Sequence, residues 1–532
     1  MPFRSTQVPY SLTGHFTPLV LDYLSGKADL KPFYRYDPQN LDFQKIIDNR
    51  KLFPVDRELL AGELEKQYQG LPDSRAVLDR IGWLRKDNSF TVCTAHQPNL
   101  FTGYLYFVYK LIQTIKVADQ LQARYPAYQF VPVYYMGSED ADLEELNRIQ
   151  LDGKTIIWNT DQKGAVGRMA PEGLETQLEQ IREAVSGQPF SDQLQEILES
   201  AYRSHPTLQQ GTLALVHALF GKSGLVVLIP DRPGFKKKIT PVLRAELFQS
   251  VSAPLVAETA SRLSTRYKVQ ANPREINLFY LGYESRERIV RSGEKWEVLN
   301  TGISWDKSQL ELELEHHPER FSPNVILRGV LQESILPNLA FIGGGGELSY
   351  WLELRGLFEN LGVSYPALIL RNSVLWVDHA AHQKMEKLGI SPTALFAGPE
   401  QVVADYVKVH AQADLSLAGS KAALEQIFAG LEDQAGALDP TLVESVKAHL
   451  TKARHLLDRI AEKFLRAQKK KMGIQVAQIR GLKEKLFPGH SLQERKENFI
   501  PFYCHYGPLF FDTLYRELDP LGHQFTIITE TA

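Results

Sequence analysis

Residues 90–110, "FTVCTAHQPNLFTGYLYFVYK", change their period halfway. Thr91, Val92, Cys93 and Thr94 are strand formers in an apolar run. His96, Gln97, Pro98 and Asn99 break that run. From Tyr104 the apolar residues return at helical spacing, which predicts a helix over 104–124. A short apolar strand that turns through a polar loop into a helix opens a βαβ unit. In parallel sheets ligands gather beyond the carboxyl ends of the strands, where His96, Gln97 and Asn99 stand. The structural alternative is a turn in which Asn99 or Thr102 caps the helix and His96 fills space. The functional one uses a neutral imidazole as donor or acceptor, or an imidazolium against a leaving phosphate.

The same grammar continues outward. "QFVPVYYM" (129–136), "GLVVLIPD" (224–231), "INLFYLGY" (276–283) and "YPALILR" (365–371) are short apolar runs separated by helical patterns, the signature of a parallel sheet. The first 90 residues read as helices with Pro-rich connections, and 165–220 as a helical insertion. Beyond about 376 strand formers thin out. Val443, Val446, Leu450, Ala453, Leu457, Ile460, Phe464 and Ala467 alternate spacings of three and four, a heptad seam. With the helix around "SKAALEQIFAGLEDQA" (420–435) and the link "GALDP", this predicts an antiparallel helical hairpin. "PFYCHYGPLFFDTLY" (501–515) and "HQFTIITE" (523–530) read as strand-like segments returning to the first unit. The predicted fold is α/β: a Rossmann-like parallel-sheet core with helical insertions over 1–375, a long antiparallel coiled-coil arm over 376–490, and a return to the core over 491–532.

Two further loops carry candidate chemistry. "GSEDAD" (137–142) places Glu139, Asp140 and Asp142 directly after a strand, where carboxylates suit an amine, Mg²⁺ or general-base work. Acidic residues also suit the helix start that follows, a reading stronger for Asp142, Glu144 and Glu145 than for Glu139 and Asp140. In "FIGGGGELSYWLELR" (341–355), Gly343, Gly344, Gly345 and Gly346 lead into a helix expected to begin at Glu347, with Tyr350 on its first turns. Glycines allow close backbone approach, and a helix N-terminus offers N–H groups to an anion. The pattern is neither a Walker A nor a GxGxxG motif. Arg328 and Arg371 are cationic complements, or else members of surface salt bridges.

At 532 residues two or three structural units are expected. A net charge of -3 gives no electrostatic reason for nucleic acid or an anionic membrane as partner. The two cysteines, Cys93 and Cys504, form neither a metal-ligand pair nor a disulfide framework. No signal-peptide pattern and no apolar run long enough to span a membrane is present, so a cytoplasmic location is expected.

Taken in order, "AHQPNLFTGYLYFVYK", "VPVYYMGSEDADLEELNRI", "GRM" (167–169), "FSPNVILRGVLQESILPNLAFIGGGGELSYW", "PALILRNS" and "LFPGHSLQER" resemble the bacillithiol biosynthesis cysteine-adding enzyme family. The resemblance runs from about residue 90 to 500, with "YSLTGHFTPLVLDYL" and "YGPLFFDTLY" also familial. It implies a ligase that adds L-cysteine to glucosaminyl malate by amide bond formation, fed by ATP (ADP or AMP as product) with Mg²⁺ as a candidate, and a homodimer formed through the coiled coil. It is also similar to class I nucleotidyltransferase cores, which puts His96 on the phosphate side, although no lysine-rich second loop follows. His96, Gln97 and Asn99 would then face the activated acyl group, Glu139, Asp140 and Asp142 the amine or a metal, and the glycine loop with Arg371 the anionic groups. The chain departs from the family pattern at Ala141, where a histidine is usual, at Gly103-Tyr104, and at Gly345-Gly346. The alternatives are a nucleotidyltransferase-like enzyme acting on another amino sugar and a non-catalytic coiled-coil adaptor with a vestigial core.

Overall fold

The structure is a computed structural model that describes residues 2–411 and 415–531. Strand β1 (Phe3–Pro9) opens the chain inside a stretch expected to be helical. The centre is a parallel sheet of β2 (Ser89–His96), β3 (Gln129–Met136), β4 (Val226–Leu228), β5 (Asn338–Gly343) and β6 (Ala367–Leu370), in the order β6-β5-β2-β3-β4. β2 and β3 are buried along nearly their whole length, as strands covered on both faces must be. Helix α1 (Leu105–Arg124) follows β2 and packs on β2 and β3. β3 and β4 succeed β2 on one side, whereas β5 adds on the other. The connection direction therefore reverses between β2 and β5, where an open α/β sheet leaves a crevice.

Register decides what surrounds that crevice. His96 pairs with Met136, Thr94 with Ile342, and Gly343 with Leu370. The segments after β2, β3, β5 and β6 thus leave the sheet side by side.

Several sequence expectations change. "INLFYLGY" forms a strand, Leu278–Leu281, but in a separate five-stranded antiparallel sheet with Arg286–Ser292 as its hairpin partner. An apolar run of four is the same in either sheet, and only the partner distinguishes them. "PFYCHYGPLFFDTLY" is two helices, Ile500–Tyr506 and Pro508–Glu517, broken at Gly507 (φ 59°). Pro501 and Pro508 sit in their first turns, where a missing N–H is harmless. "HQFTIITE" is strand β8 (Gln524–Glu530), which runs antiparallel to β1 and parallel to β7 (Val374–Val377).

Helix α2 (Gly345–Leu361) begins two residues before the expected Glu347. The arm is α3 (Ala418–Leu438) against α4 (Leu442–Lys471), tied antiparallel by Lys421–Asp458 at 2.7 Å and Arg454–Glu425 at 2.9 Å. Val443, Val446, Leu450, Ala453 and Leu457 lie half-buried in the seam as predicted. Past Leu457 the seam moves to Ala461 and Leu465, and Ile460, Phe464 and Ala467 turn outward. A straight helix of 3.6 residues per turn drifts out of a strict heptad, which accounts for the shift. Among the described residues no helix is long and apolar enough to cross a membrane.

Candidate active site

The loop after β2 is held in a strained form. Phe101 and Thr102 both have positive φ (48° and 69°), which is uncommon for non-glycine residues. Asn498 pins them by donating from Nδ2 to the carbonyls of Phe101 (2.9 Å) and Gly103. Tyr134 Oη donates to the carbonyls of His96 (3.1 Å) and Gln97 (3.2 Å). Gly103 cannot carry a side chain, since a Cβ there would lie 2.8 Å from that of Asn99. The capping reading of this turn fails: Tyr104 is the N-cap of α1, and neither Asn99 nor Thr102 bonds to it. Both are buried with an unpartnered side-chain oxygen.

His96 stacks on Phe107 at 4.9 Å and meets Tyr106 edge-on at 5.4 Å, with its Nε2 buried and unpartnered. Burial, then the charges of Lys110 and Arg371, push its pKa well below the ordinary value. The imidazole is therefore neutral at pH 7, which favours its reading as a donor or acceptor over the imidazolium.

These groups line a cavity of about 490 Å³ in the β2/β5 crevice. On one side stand His96, Gln97 and Gly137; on the other, the start of α2 from Gly344 to Glu347, with Tyr350. Cations close it: Lys110, Arg328, Arg371 and Arg495. Three have fixed partners. Lys110, buried in α1, donates to the Ala95 carbonyl (2.9 Å) and pairs with Glu347. The Glu347 carboxylate also accepts from the Gly344 amide at 2.7 Å, so it caps the helix and neutralises the lysine together. Arg371 pairs with buried Glu494 at 2.7 Å and lies over the Tyr106 ring at 4.9 Å. Arg328 pairs with Asp140. Arg495 is exposed and has no carboxylate partner among the described residues.

The four glycines are no flexible turn, since none has positive φ. Gly343 ends β5 under steric compulsion, because a Cβ would meet Phe341 at 2.8 Å and Leu348 at 3.0 Å. Gly344 lies against Arg371, whereas nothing crowds Gly346. The amides of Gly345 and Gly346 belong to the first turn of a 17-residue helix, have no intrahelical acceptor, and line the cavity.

The acidic loop lies elsewhere than expected. Glu139 is buried, paired with Lys236 and accepting from Ser322 Oγ at 2.8 Å. Asp140 lies between Arg328 and Arg286. Burial alone would raise its carboxyl, and the two guanidinium groups overcome that and hold it below its usual range. Asp142 is exposed ahead of the short helix Leu143–Leu146 and makes no capping bond. None of the three lines the cavity, and neither does Ala141 or Gly343. Asp140 reaches it only by orienting Arg328. The "GRM" stretch supports the loop: the Gly167 amide donates to the Ser138 carbonyl at 2.9 Å, and a Cβ on Gly167 would sit 2.4 Å from that oxygen. Among the described residues no group of three His, Cys, Asp or Glu side chains is placed to hold a metal, and with Glu139 and Asp140 already paired to cations the loop does not suit Mg²⁺.

The structure thus gathers His96, Gln97, Gly344, Gly345, Gly346, Glu347, Tyr350, Arg328 and Arg371. It adds Tyr104, Tyr106, Lys110, Gly137 and Arg495, which the sequence reading did not select. Lys110 had a signal, as a lone cation within "YLYFVYKLI". Arg495 had none beyond its place in "LFPGHSLQER".

Comparison with known proteins agrees with this architecture. Residues 1–372 match the family domain described as "Bacillithiol biosynthesis BshC, N-terminal Rossmann-like domain", and 374–530 the corresponding "C-terminal coiled-coil domain". Relatives named "Putative cysteine ligase BshC" include one from Christiangramia forsetii, 40% identical over 529 residues and covering 98% of both chains. One from Flavobacterium johnsoniae is 38% identical over 98% of this chain and 99% of its own. One from Flavobacterium psychrophilum is 37% identical over 98% of each. With both domains matched in order and identity spread over the full length, the chain belongs to the bacillithiol biosynthesis BshC family.

Proposed function

We propose that this chain is a cytoplasmic ligase that joins the carboxyl of L-cysteine to the amine of glucosaminyl malate, using ATP, to form bacillithiol. The names of its relatives support cysteine ligation. The observation that carries the reading is the cavity at the β2/β5 crevice, where four cations and a helix N-terminus surround a neutral, unpartnered histidine. Such a wall suits a dicarboxylate or a phosphate. Lys110, Arg328 and Arg371 already have carboxylate partners and contribute mainly field. Arg495 and the amides of Gly345 and Gly346 are free to bond an anion directly, at about 1.5–3 kcal/mol for a charge-assisted hydrogen bond.

ATP, when bound, supplies the phosphoryl or adenylyl group that makes the cysteine carboxyl an acyl donor, and the same amides with Arg495 suit its phosphates. The chain's residues then orient the acyl carbon against the amine. The amine nitrogen forms the new bond to that carbon, the carbon–oxygen bond to phosphorus breaks, and the departing proton goes to His96 Nε2. Burial is the main cause of the low basicity; a bound anion offsets the lesser Lys110 and Arg371 charges and raises the imidazole's basicity by that part when substrates are present. The arm completes the proposal as a homodimer contact, through the outward stripe Leu456, Ile460 and Phe464.

The test is incubation of the purified chain with cysteine, glucosaminyl malate and ATP, with mass detection of the thiol product and of AMP or ADP. Absence of product, with turnover of another amino sugar, would favour the nucleotidyltransferase alternative. Absence of both turnover and ligand-induced thermal stabilisation would favour the adaptor.

A further inference from the structure

Beside the cationic cavity lies a second hollow of about 410 Å³, and Gln97, Tyr104 and Tyr106 line both as a shared partition. Its charge is opposite. The outer wall is Glu144 and Glu145, both exposed, and neither has an ion-pair partner among the described residues. They stand on the short helix Leu143–Leu146, which makes no capping use of them. Arg148, which also lines the hollow, donates from Nε to Asn147 Oδ1 at 3.3 Å and meets no carboxylate among the described residues. Asn99 also lines the hollow. It is 5% exposed, its Oδ1 has no donor, and its Nδ2 bonds to no described protein atom. A buried amide oxygen left without a donor is rare in a folded protein and points to a polar ligand.

We infer that this hollow is the ammonium subsite for the amino-acid substrate. Glu144, Glu145 and Asn99 Oδ1 receive the α-ammonium, and the acyl group lies against the Gln97 partition, facing His96. This rests on the ligase reading and deepens it. An α-amino acid activated at its carboxyl keeps its own ammonium, which must be recognised close to the reacting carbon and kept from attack. Two adjoining compartments of opposite charge do both: the anionic amino sugar belongs with the arginines and the ammonium with the glutamates. With two carboxylates against the single guanidinium of Arg148 the hollow carries a net negative field, so Glu144 and Glu145 act together although each is exposed.

The experiment is direct binding by calorimetry to the full chain and to E144Q/E145Q. The probes are cysteine, cysteamine (ammonium without carboxylate) and 3-mercaptopropionate (carboxylate without ammonium). The expected result is cysteine and cysteamine binding weakened at least tenfold in the variant, with 3-mercaptopropionate within twofold. In turnover, KM for cysteine rises at least tenfold and KM for glucosaminyl malate stays within twofold. Unchanged cysteine and cysteamine affinity, or no cysteamine binding to the unaltered chain, overturns the subsite. Binding that is lost as expected in a chain that makes no product leaves the subsite standing and overturns the ligase reading instead. Because both substitutions are isosteric and at exposed positions, the fold tolerates them, and Asn99→Asp provides a second probe expected to tighten cysteamine.

Discussion

Glu494→Gln should destabilise the core severely, by an amount the structure allows to be worked out. Glu494 is fully buried and accepts from three groups of the stretch 371–374 at once: Arg371 (2.7 Å), Ser373 Oγ (3.0 Å) and the Val374 amide (2.9 Å). An amide keeps the shape but removes the charge, and turns a donor toward either Arg371 or Val374. Arg371, 4% exposed, keeps its bonds to the Asn372 carbonyl (3.1 Å) and Ser373 Oγ (3.3 Å) and the Tyr106 ring, but no compensating negative charge. Breaking one side of a buried pair costs about 3–5 kcal/mol, because the remaining charge is uncompensated. At an m-value of about 2–3 kcal/mol/M, the urea midpoint should fall by about 1–2.5 M. The assay is urea unfolding followed by circular dichroism and tryptophan fluorescence; Trp376, whose amide donates to Gln493 Oε1 at 2.9 Å, reports from the next strand. Replacing both partners with apolar residues, R371M/E494L, should lose less than either single variant, since no orphan charge remains. A single-variant loss under 1 kcal/mol, or a double variant worse than both singles, would refute the argument.

Burial raises the Glu333 pKa to about 7, so the folded chain holds this proton more tightly than the unfolded one. Stability should therefore be intact below about pH 4.5 and fall as pH rises through 7, by about 3 kcal/mol; Glu333→Gln should flatten that slope, leaving the similar one from Glu497. Gly343→Ala should lose about 1–3 kcal/mol to overpacking, whereas Gly346→Ala should gain about 0.5–1 kcal/mol of helix stability and bind anionic substrate more weakly, as paired melts and KM values would show. His96→Ala should reduce turnover at least about 100-fold and abolish the acid limb of the kcat profile; a rate within threefold of the unaltered chain would remove His96 from proton transfer. Phe464→Asp should convert dimer to monomer in sedimentation if the outward stripe of the arm is the contact.

Much of this was legible in local pattern. The strand–loop–helix at 90–110 reads directly from its change of period, and β3 begins and ends where its apolar run does. The helical hairpin follows from its heptads and the Asp-Pro link. Local pattern failed where the answer depended on a partner. Leu278–Leu281 has the composition of a parallel strand but pairs with a charged hairpin, and the aromatic run at 501–515 is helical because Gly507 and two prolines divide it. The carboxylates after β3 look like a site in sequence, and only Lys236, Arg286 and Arg328, recruited from 97 to 188 residues away, turn them into structure.

By itself, then, the sequence determined the elements and the three polar loops at strand ends, because hydrophobic period and glycine content act over a few residues. Tertiary structure alone decided which loops meet. Strand order β6-β5-β2-β3-β4 puts the connection reversal between β2 and β5, so the histidine faces the start of α2 there, while buried pairing withdraws Glu139 and Asp140 and leaves Arg495 free. Pairing across hundreds of residues settles the charge of a site, and no local pattern encodes it.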